Sequence, residues 1–196
     1  YEQWGVDLLQ RVRGMFTFVI WDKNKQELFG ARDHFGIKPF YYAKMNGTFM
    51  YASEIKSLLR HPDFVKELNA EALKPYMTFQ YPAIGETFFK GVYKLPEGHY
   101  FTYRDGKMDI HRYYDEDFRE GKQKLGELVN SIDQTVCDSV KAHQIADVEV
   151  GSFLSSGVDS SYVAAVARPQ HTYSIGFGKG TYNESQQAGE LAELLK

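Results

Sequence analysis

The chain is expected to combine two fold classes: α+β with antiparallel sheet over residues 1–118, then the opening of an α/β unit with parallel sheet over 119–196. Up to Tyr113, short runs rich in β-branched and aromatic residues follow one another with tight-turn signals between them. Beyond Lys124, apolar residues recur at helical spacing, and strand-like runs alternate with helix-like runs. Between the two, residues 115–124 turn to Asp, Glu, Arg, Gly and Lys with few apolar anchors, as in a linker. The boundary is placed near Phe118.

In the first part, strands are expected at 15–21, 26–31, 40–44 and 48–52, forming a meander. Asn46-Gly47 supplies a type I′ hairpin signal between the last two. Brief helices are expected at 53–59 and 69–78, with Asn69 as a helix start. A second hairpin runs through 98–103, turns at Asp105-Gly106 and returns over 108–113. In the second part, Leu125, Leu128, Val129, Ile132, Val136 and Val140 mark one face of a long helix. Strands at 148–154 and 171–176 then alternate with helices at 162–167 and 184–195, which calls for parallel pairing.

Composition narrows the functional classes. With 43% hydrophobic and 25% charged residues, the 196-residue chain has the make-up of a folded protein. The net charge of −3 and the even scatter of Lys and Arg provide no stripe for a phosphate backbone, so nucleic acid is not an expected partner. Cys137 is the single cysteine, which rules out an internal disulfide and favours a reduced, cytoplasmic setting. No apolar run approaches the ~18 residues that would cross a bilayer. The six histidines include no i, i+4 pair, so no zinc site is expected. Arg32-Asp33-His34 is read as a turn fixed by hydrogen bonds rather than as acid–base machinery. Asn46-Gly47-Thr48 and Asn183-Glu184-Ser185 fit the glycosylation sequon, which in a cytoplasmic protein is incidental. The chain opens on Tyr1 and closes within a helix pattern at Lys196, so it is read as an internal piece, expected to be inactive alone.

The segment FLSSGVDSS, 153–161, lies where a strand should end and a helix begin. Unpaired N–H groups point one way there, the helix dipole adds positive charge, and hydroxyls can donate further bonds, so an anion fits. Gly157 is expected to permit a backbone path that a side chain would hinder. Asp159 is the loop's single carboxylate, suited to holding Mg²⁺ beside a phosphate. The same letters also fit a capping box in which Ser156 merely caps a helix that carries Asp159. A Walker loop is excluded, because no lysine lies between Lys141 and Lys179. A hydrolase nucleophile elbow would need glycine where Phe153 stands. Lys179, in the glycine-rich stretch after the second strand, is read as a solvated loop lysine.

SSGVDSS (155–161) resembles the SGGxDSS pyrophosphatase-type loop of the glutamine-hydrolysing asparagine synthetases, with Ser156 in place of the first glycine. RGMFTFVIWD (13–22), ARDHFGIKPFYY (31–42), ASEIKSLL (52–59) and LPEGHYF (95–101) are similar, in order, to segments of that family's N-terminal glutaminase domain. The resemblance implies an incomplete glutaminase domain of the N-terminal nucleophile type over 1–118 and the start of an ATP-binding synthetase domain over 119–196. It implies glutamine, aspartate and ATP as substrates, Mg²⁺ as cofactor, and an aspartyl-adenylate that ammonia converts to asparagine and AMP. Leu154 and Ile175 match nucleotide-contacting positions. Ser155, Gly157, Asp159, Ser160 and Ser161, with Ser156 and Val158 between them, match the pyrophosphate grip, and the resemblance implies that Asp159 would help hold Mg²⁺. No catalytic residue is assigned, because the family's nucleophile is an N-terminal cysteine, which internal Cys137 cannot be. A homodimer is compatible with the resemblance. A related amidotransferase such as a β-lactam-forming synthetase, and a non-catalytic interaction module, stay open as alternatives.

Overall fold

Residues TFVIWD form β1 (Thr17–Asp22), which pairs antiparallel with β2 (Glu27–Arg32), Thr17 facing Arg32 and Asp22 facing Glu27. Asp22 Oδ1 fixes the intervening turn by accepting the N–H groups of Asn24 and Lys25, each at 3.0 Å. The structure, a computed structural model, describes residues 1–81, 83–176 and 184–195. It divides into two units, Tyr1–Phe118 and Arg119–Lys196.

The first unit holds two antiparallel sheets. The expected meander is corrected here, because β2 does not pair with the next strand. Its neighbour is β6 (His99–Arg104), followed by β7 (Lys107–Arg112), so the first sheet runs β1-β2-β6-β7. Between them lie β3 (Tyr41–Met45), β4 (Thr48–Ala52) and β5 (Val92–Lys94), which form a second sheet in the order β4-β3-β5. Asn46 (φ 49°) and Gly47 (φ 83°) make the tight β3–β4 turn, and Asp105 (φ 50°) with Gly106 (φ 76°) makes the β6–β7 turn. Phe40, Leu95 and Phe101 are packed together in one core cluster. Ala43, Met50, Leu58 and Val92 form another under α1 (Ile55–Leu58).

The chain leaves the first sheet through a turn that two buried residues build. Asp33 is 1% exposed, and its carboxylate accepts the N–H groups of Phe35 (3.2 Å), Ile37 (2.9 Å) and Lys38 (3.0 Å). Arg32, 2% exposed, donates to the carbonyls of Lys38 (2.8 Å), Leu95 (2.6 Å) and Gly36. These bonds satisfy buried charge with backbone partners. Gly36 has φ +63°, and a Cβ there would lie 2.7 Å from an Arg32 nitrogen. Tyr113 donates its hydroxyl to the Arg32 carbonyl at 2.7 Å, and burial, with the Asp33 charge, pushes its pKa up to about 12.

The helix expected from Asn69 begins as a short 3-10 turn, Ala70–Ala72, and continues as α2 (Leu73–Phe79). Asn69 does not cap it. Its side-chain amide donates instead to the Thr87 carbonyl at 3.1 Å. A 3-10 helix at Gly5–Gln10, which buries Leu8 and Leu9, went unforeseen.

The second unit opens with α3 (Leu125–His143), where Lys124 N–H donates to Glu127 Oε2 at 3.3 Å. Only the end of its apolar face is covered: Val140 is buried, whereas Leu125, Leu128, Val129 and Ile132 are exposed. The two later strands pair parallel, as expected, but are shorter: β8 is Ser152–Phe153 and β9 is Thr172–Tyr173. Among the described residues each has one neighbour, and the bonds between them run from Ser152 N–H on the His171 carbonyl (3.0 Å) to Leu154 N–H on the Tyr173 carbonyl (2.9 Å). α4 (Val158–Ala167) begins earlier than expected, inside the serine-rich segment, and α5 (Ser185–Leu194) closes the unit.

Candidate functional site

Leu154 ends the β8 run and is buried at 3% exposure with Ala164 of α4 and Ala188 of α5. That three-way contact holds the end of β8, the body of α4 and the first turn of α5 beside one another. Residues 155–157 therefore connect strand to helix over a short, tightly bonded path.

Ser160 is the hub of that path. Its Oγ accepts the Ser155 N–H at 3.2 Å and lies 2.7 Å from Ser155 Oγ and 3.1 Å from the Gly157 carbonyl. Ser155 Oγ in turn accepts the Gly157 N–H at 3.1 Å. Ser161 is engaged in its own helix, its Oγ donating to the Gly157 carbonyl at 2.7 Å.

Two expectations are corrected here. Gly157, with φ −72° and ψ 149°, has an extended backbone open to any residue. What its missing side chain spares is crowding, since a Cβ would stand 3.2 Å from Ser155 Oγ. The capping box is also absent: Gly157 is the N-cap of α4, without any side-chain cap, and Ser156 N–H donates to Glu184 Oε2 at 3.3 Å.

The first turn of α4 is left open as a result. The first α-helical N–H bond of α4 is Ser161 N–H to the Gly157 carbonyl at 3.1 Å. Among the described residues, the amides of Val158, Asp159 and Ser160 have no acceptor, which is the arrangement that receives an anion at a helix N-terminus. Asp159 occupies the second position of this turn and is exposed, as are Val158 and Ser156.

A pocket of about 320 Å³ opens beside the loop, at the carboxyl ends of β8 and β9. Leu154, Ser155, Ser160, Ile175 and Glu184 line it. Parallel α/β sheets receive ligands at that end. A larger pocket of about 390 Å³ between α3 and α4 is lined by Val136, Val140, Val163 and His143. Its His143 ring and the Gln144 side chain are already bonded to the carbonyls of Ser139 and Ala167. Chemistry therefore favours the smaller one.

Cys137 is half-buried on α3, with its Sγ 3.9 Å from Asp133 Oδ1. Asp133 also accepts the Tyr162 hydroxyl, and that bond, with burial, pushes the tyrosine pKa up to about 12. Lys179 and Asn183 lie outside the described residues. No group of three or more metal-ligating side chains occurs among the described residues, and no helix there is long and apolar enough to cross a membrane. Glu184 was missed because, in the sequence, it reads only as the middle of an incidental sequon.

Comparison with known proteins places these features in a family. Residues 1–114 match the glutamine amidotransferase domain, and residues 131–196 match asparagine synthase. Asparagine synthetase [glutamine-hydrolyzing] 1 of Bacillus subtilis is 39% identical over all of this chain and 32% of its own length. Asparagine synthetase [glutamine-hydrolyzing] 3 of the same organism is 32% identical over 90% of this chain and 30% of its own. A putative asparagine synthetase [glutamine-hydrolyzing] of Mycobacterium tuberculosis is 37% identical over all of this chain and 32% of its own. The chain thus spans about a third of the length of these curated relatives. With a glutamine amidotransferase domain followed by an asparagine synthase segment, the chain belongs to the glutamine-hydrolysing asparagine synthetase family.

Proposed function

We propose that the protein containing this chain makes asparagine from aspartate, using ATP and ammonia released from glutamine. In this reading, residues 1–118 are the C-terminal portion of a glutaminase domain of the N-terminal nucleophile type. Residues 119–196 are the N-terminal portion of a pyrophosphatase-loop ATP-binding domain. The observation that carries the reading is the open first turn of α4 beside the pocket, inside the segment that matches asparagine synthase.

The amides of Val158, Asp159 and Ser160 are the donors we assign to the pyrophosphate portion of ATP, with the helix dipole adding to their pull. Ser155 and Ser160 hold the loop in shape, and Leu154 and Ile175 supply apolar wall to the nucleotide. Asp159 fits Mg²⁺, an ion that takes one or two protein carboxylates and fills its shell with water and phosphate oxygens. Bound Mg²⁺ would neutralise charge on the departing pyrophosphate. The chain's own part in that step is to fix the anion: preorganised amides stabilise charge as the aspartate carboxylate displaces pyrophosphate. The resulting adenylate then loses AMP to ammonia. Cys137 takes no part. A cytoplasmic setting accords with a single unpaired thiol.

The test is product stoichiometry with the parent protein, aspartate, glutamine and ATP. Asparagine, AMP and pyrophosphate should form in equal amounts. ADP and phosphate in their place, or no aspartate-dependent turnover, would overturn the proposal.

A further inference from the structure

The amides of the connecting path, Ser155, Ser156 and Gly157, are tied before any ligand arrives. Hydroxyls of the loop itself tie two of them: Ser160 Oγ takes the Ser155 N–H and Ser155 Oγ takes that of Gly157. The acceptor for Ser156 comes from elsewhere in the chain. It is Oε2 of Glu184, 28 positions on, at 3.3 Å. Glu184 immediately precedes α5, and its reach is set by the packing of Ala188 against Leu154 and Ala164. The same side chain forms part of the pocket wall with Ser155 and Ser160.

We propose that Glu184 is a positioning residue for nucleotide binding, which holds the Ser156 amide so that the following turn, Val158 to Ser160, presents its free N–H groups to the anion. The inference rests on the nucleotide reading above and extends it to a residue outside the loop motif. Ser156 stands where a glycine would leave the path more mobile, so an acceptor at this amide restricts the segment further. The negative charge of Glu184 is on an exposed residue, where water and ions screen it from a bound phosphate. The tied and the free amides divide the work: the upstream ones shape the loop and the downstream ones bind.

The experiment compares Glu184→Ala and Glu184→Gln in the parent protein, with MgATP and magnesium pyrophosphate as probes in titration calorimetry. Glu184→Gln, which keeps an oxygen acceptor of the same shape, should bind both probes within about threefold of the native protein. Glu184→Ala, which removes the acceptor, should weaken both by about tenfold, the scale of one hydrogen bond. For the alanine variant the KM for ATP should rise while kcat at saturating ATP is retained, which a general folding defect would not allow. Glutamine hydrolysis should be unchanged in both. Native-like binding by the alanine variant would overturn the proposal. So would equal weakening by both variants, which makes charge the operative property, or tighter binding by either, which makes Glu184 a competitor. If the native protein itself binds neither probe, the nucleotide reading fails and this inference with it.

Discussion

Replacing Ser160 with alanine probes the loop at its hub. The hydroxyl takes the Ser155 N–H at 3.2 Å, touches Ser155 Oγ at 2.7 Å and lies 3.1 Å from the Gly157 carbonyl. One hydroxyl hydrogen can serve only one acceptor at a time, so the alanine variant loses about two neutral hydrogen bonds, each worth roughly 0.5–1.5 kcal/mol. It also leaves the half-buried Ser155 amide to water. If that order is needed only when nucleotide is bound, the cost is about 1–3 kcal/mol of binding, or roughly 5- to 150-fold in Kd. Ser161→Ala is the internal comparison. Its hydroxyl bonds the Gly157 carbonyl within α4, and that carbonyl keeps the Ser161 N–H at 3.1 Å, so binding should stay within about threefold. MgATP titration calorimetry reads both variants, with glutamine hydrolysis as a control for folding of the other unit. If Ser160→Ala binds MgATP as the native protein does, or if Ser161→Ala is the more damaging, the assignment of the loop's internal bonds is wrong.

Asp159→Asn should abolish magnesium-dependent asparagine formation by more than about tenfold while leaving glutaminase turnover intact, on the scale of one lost charged ligand. Equal loss of both activities in a coupled assay would contradict this. Asp33→Asn places an NH₂ group where the carboxylate now accepts backbone N–H donors, and should lower stability by about 2–4 kcal/mol, measured by urea melts at neutral pH. The pH profile has a definite sign. Burial pushes the Asp33 carboxyl up, but bonds from Lys38, Ile37 and Phe35 outweigh it, so the folded pKa lies below the usual carboxylate value. Its stabilisation is therefore present above about pH 4 and lost as pH falls through that lower folded value, a loss the Asn variant should not show. Gly36→Ala combines a φ of +63° with a Cβ 2.7 Å from the Arg32 guanidinium, and should cost about 1–3 kcal/mol in the same melts.

Local signals in the sequence were legible because local chemistry decides them. Asn46-Gly47 and Asp105-Gly106 adopt positive φ at both turn positions, and the heptad-like spacing from Leu125 to Val140 forms one helix. Pairing partners were not legible. Nothing in the letters of β2 states that it neighbours β6 rather than β3, because the choice depends on Asp33 and Arg32 turning the chain out of the sheet. At the site, the chemical types in 155–161 pointed to an anion loop, and the resemblance added Leu154 and Ile175. The division between tied and free amides depends on where each hydroxyl points, and Asn69 shows how easily such a side chain finds a partner other than its own helix. Glu184 reaches Ser156 only through packing of α5, which no local pattern encodes.

The second sheet, β4-β3-β5, is nested in sequence between β2 and β6 of the first. Closing the outer sheet brings together segments as far apart as Arg32 and Leu95, 63 positions distant. Loop-closure entropy makes that step slow unless the intervening chain is already compact. The β3–β4 hairpin, with its two-residue turn, needs no such closure and can form early. The nesting thus implies an order of assembly in which the inner hairpin condenses first and shortens the effective tether. The outer strands then meet across it, and the Arg32 guanidinium ties the junction through the Lys38 and Leu95 carbonyls.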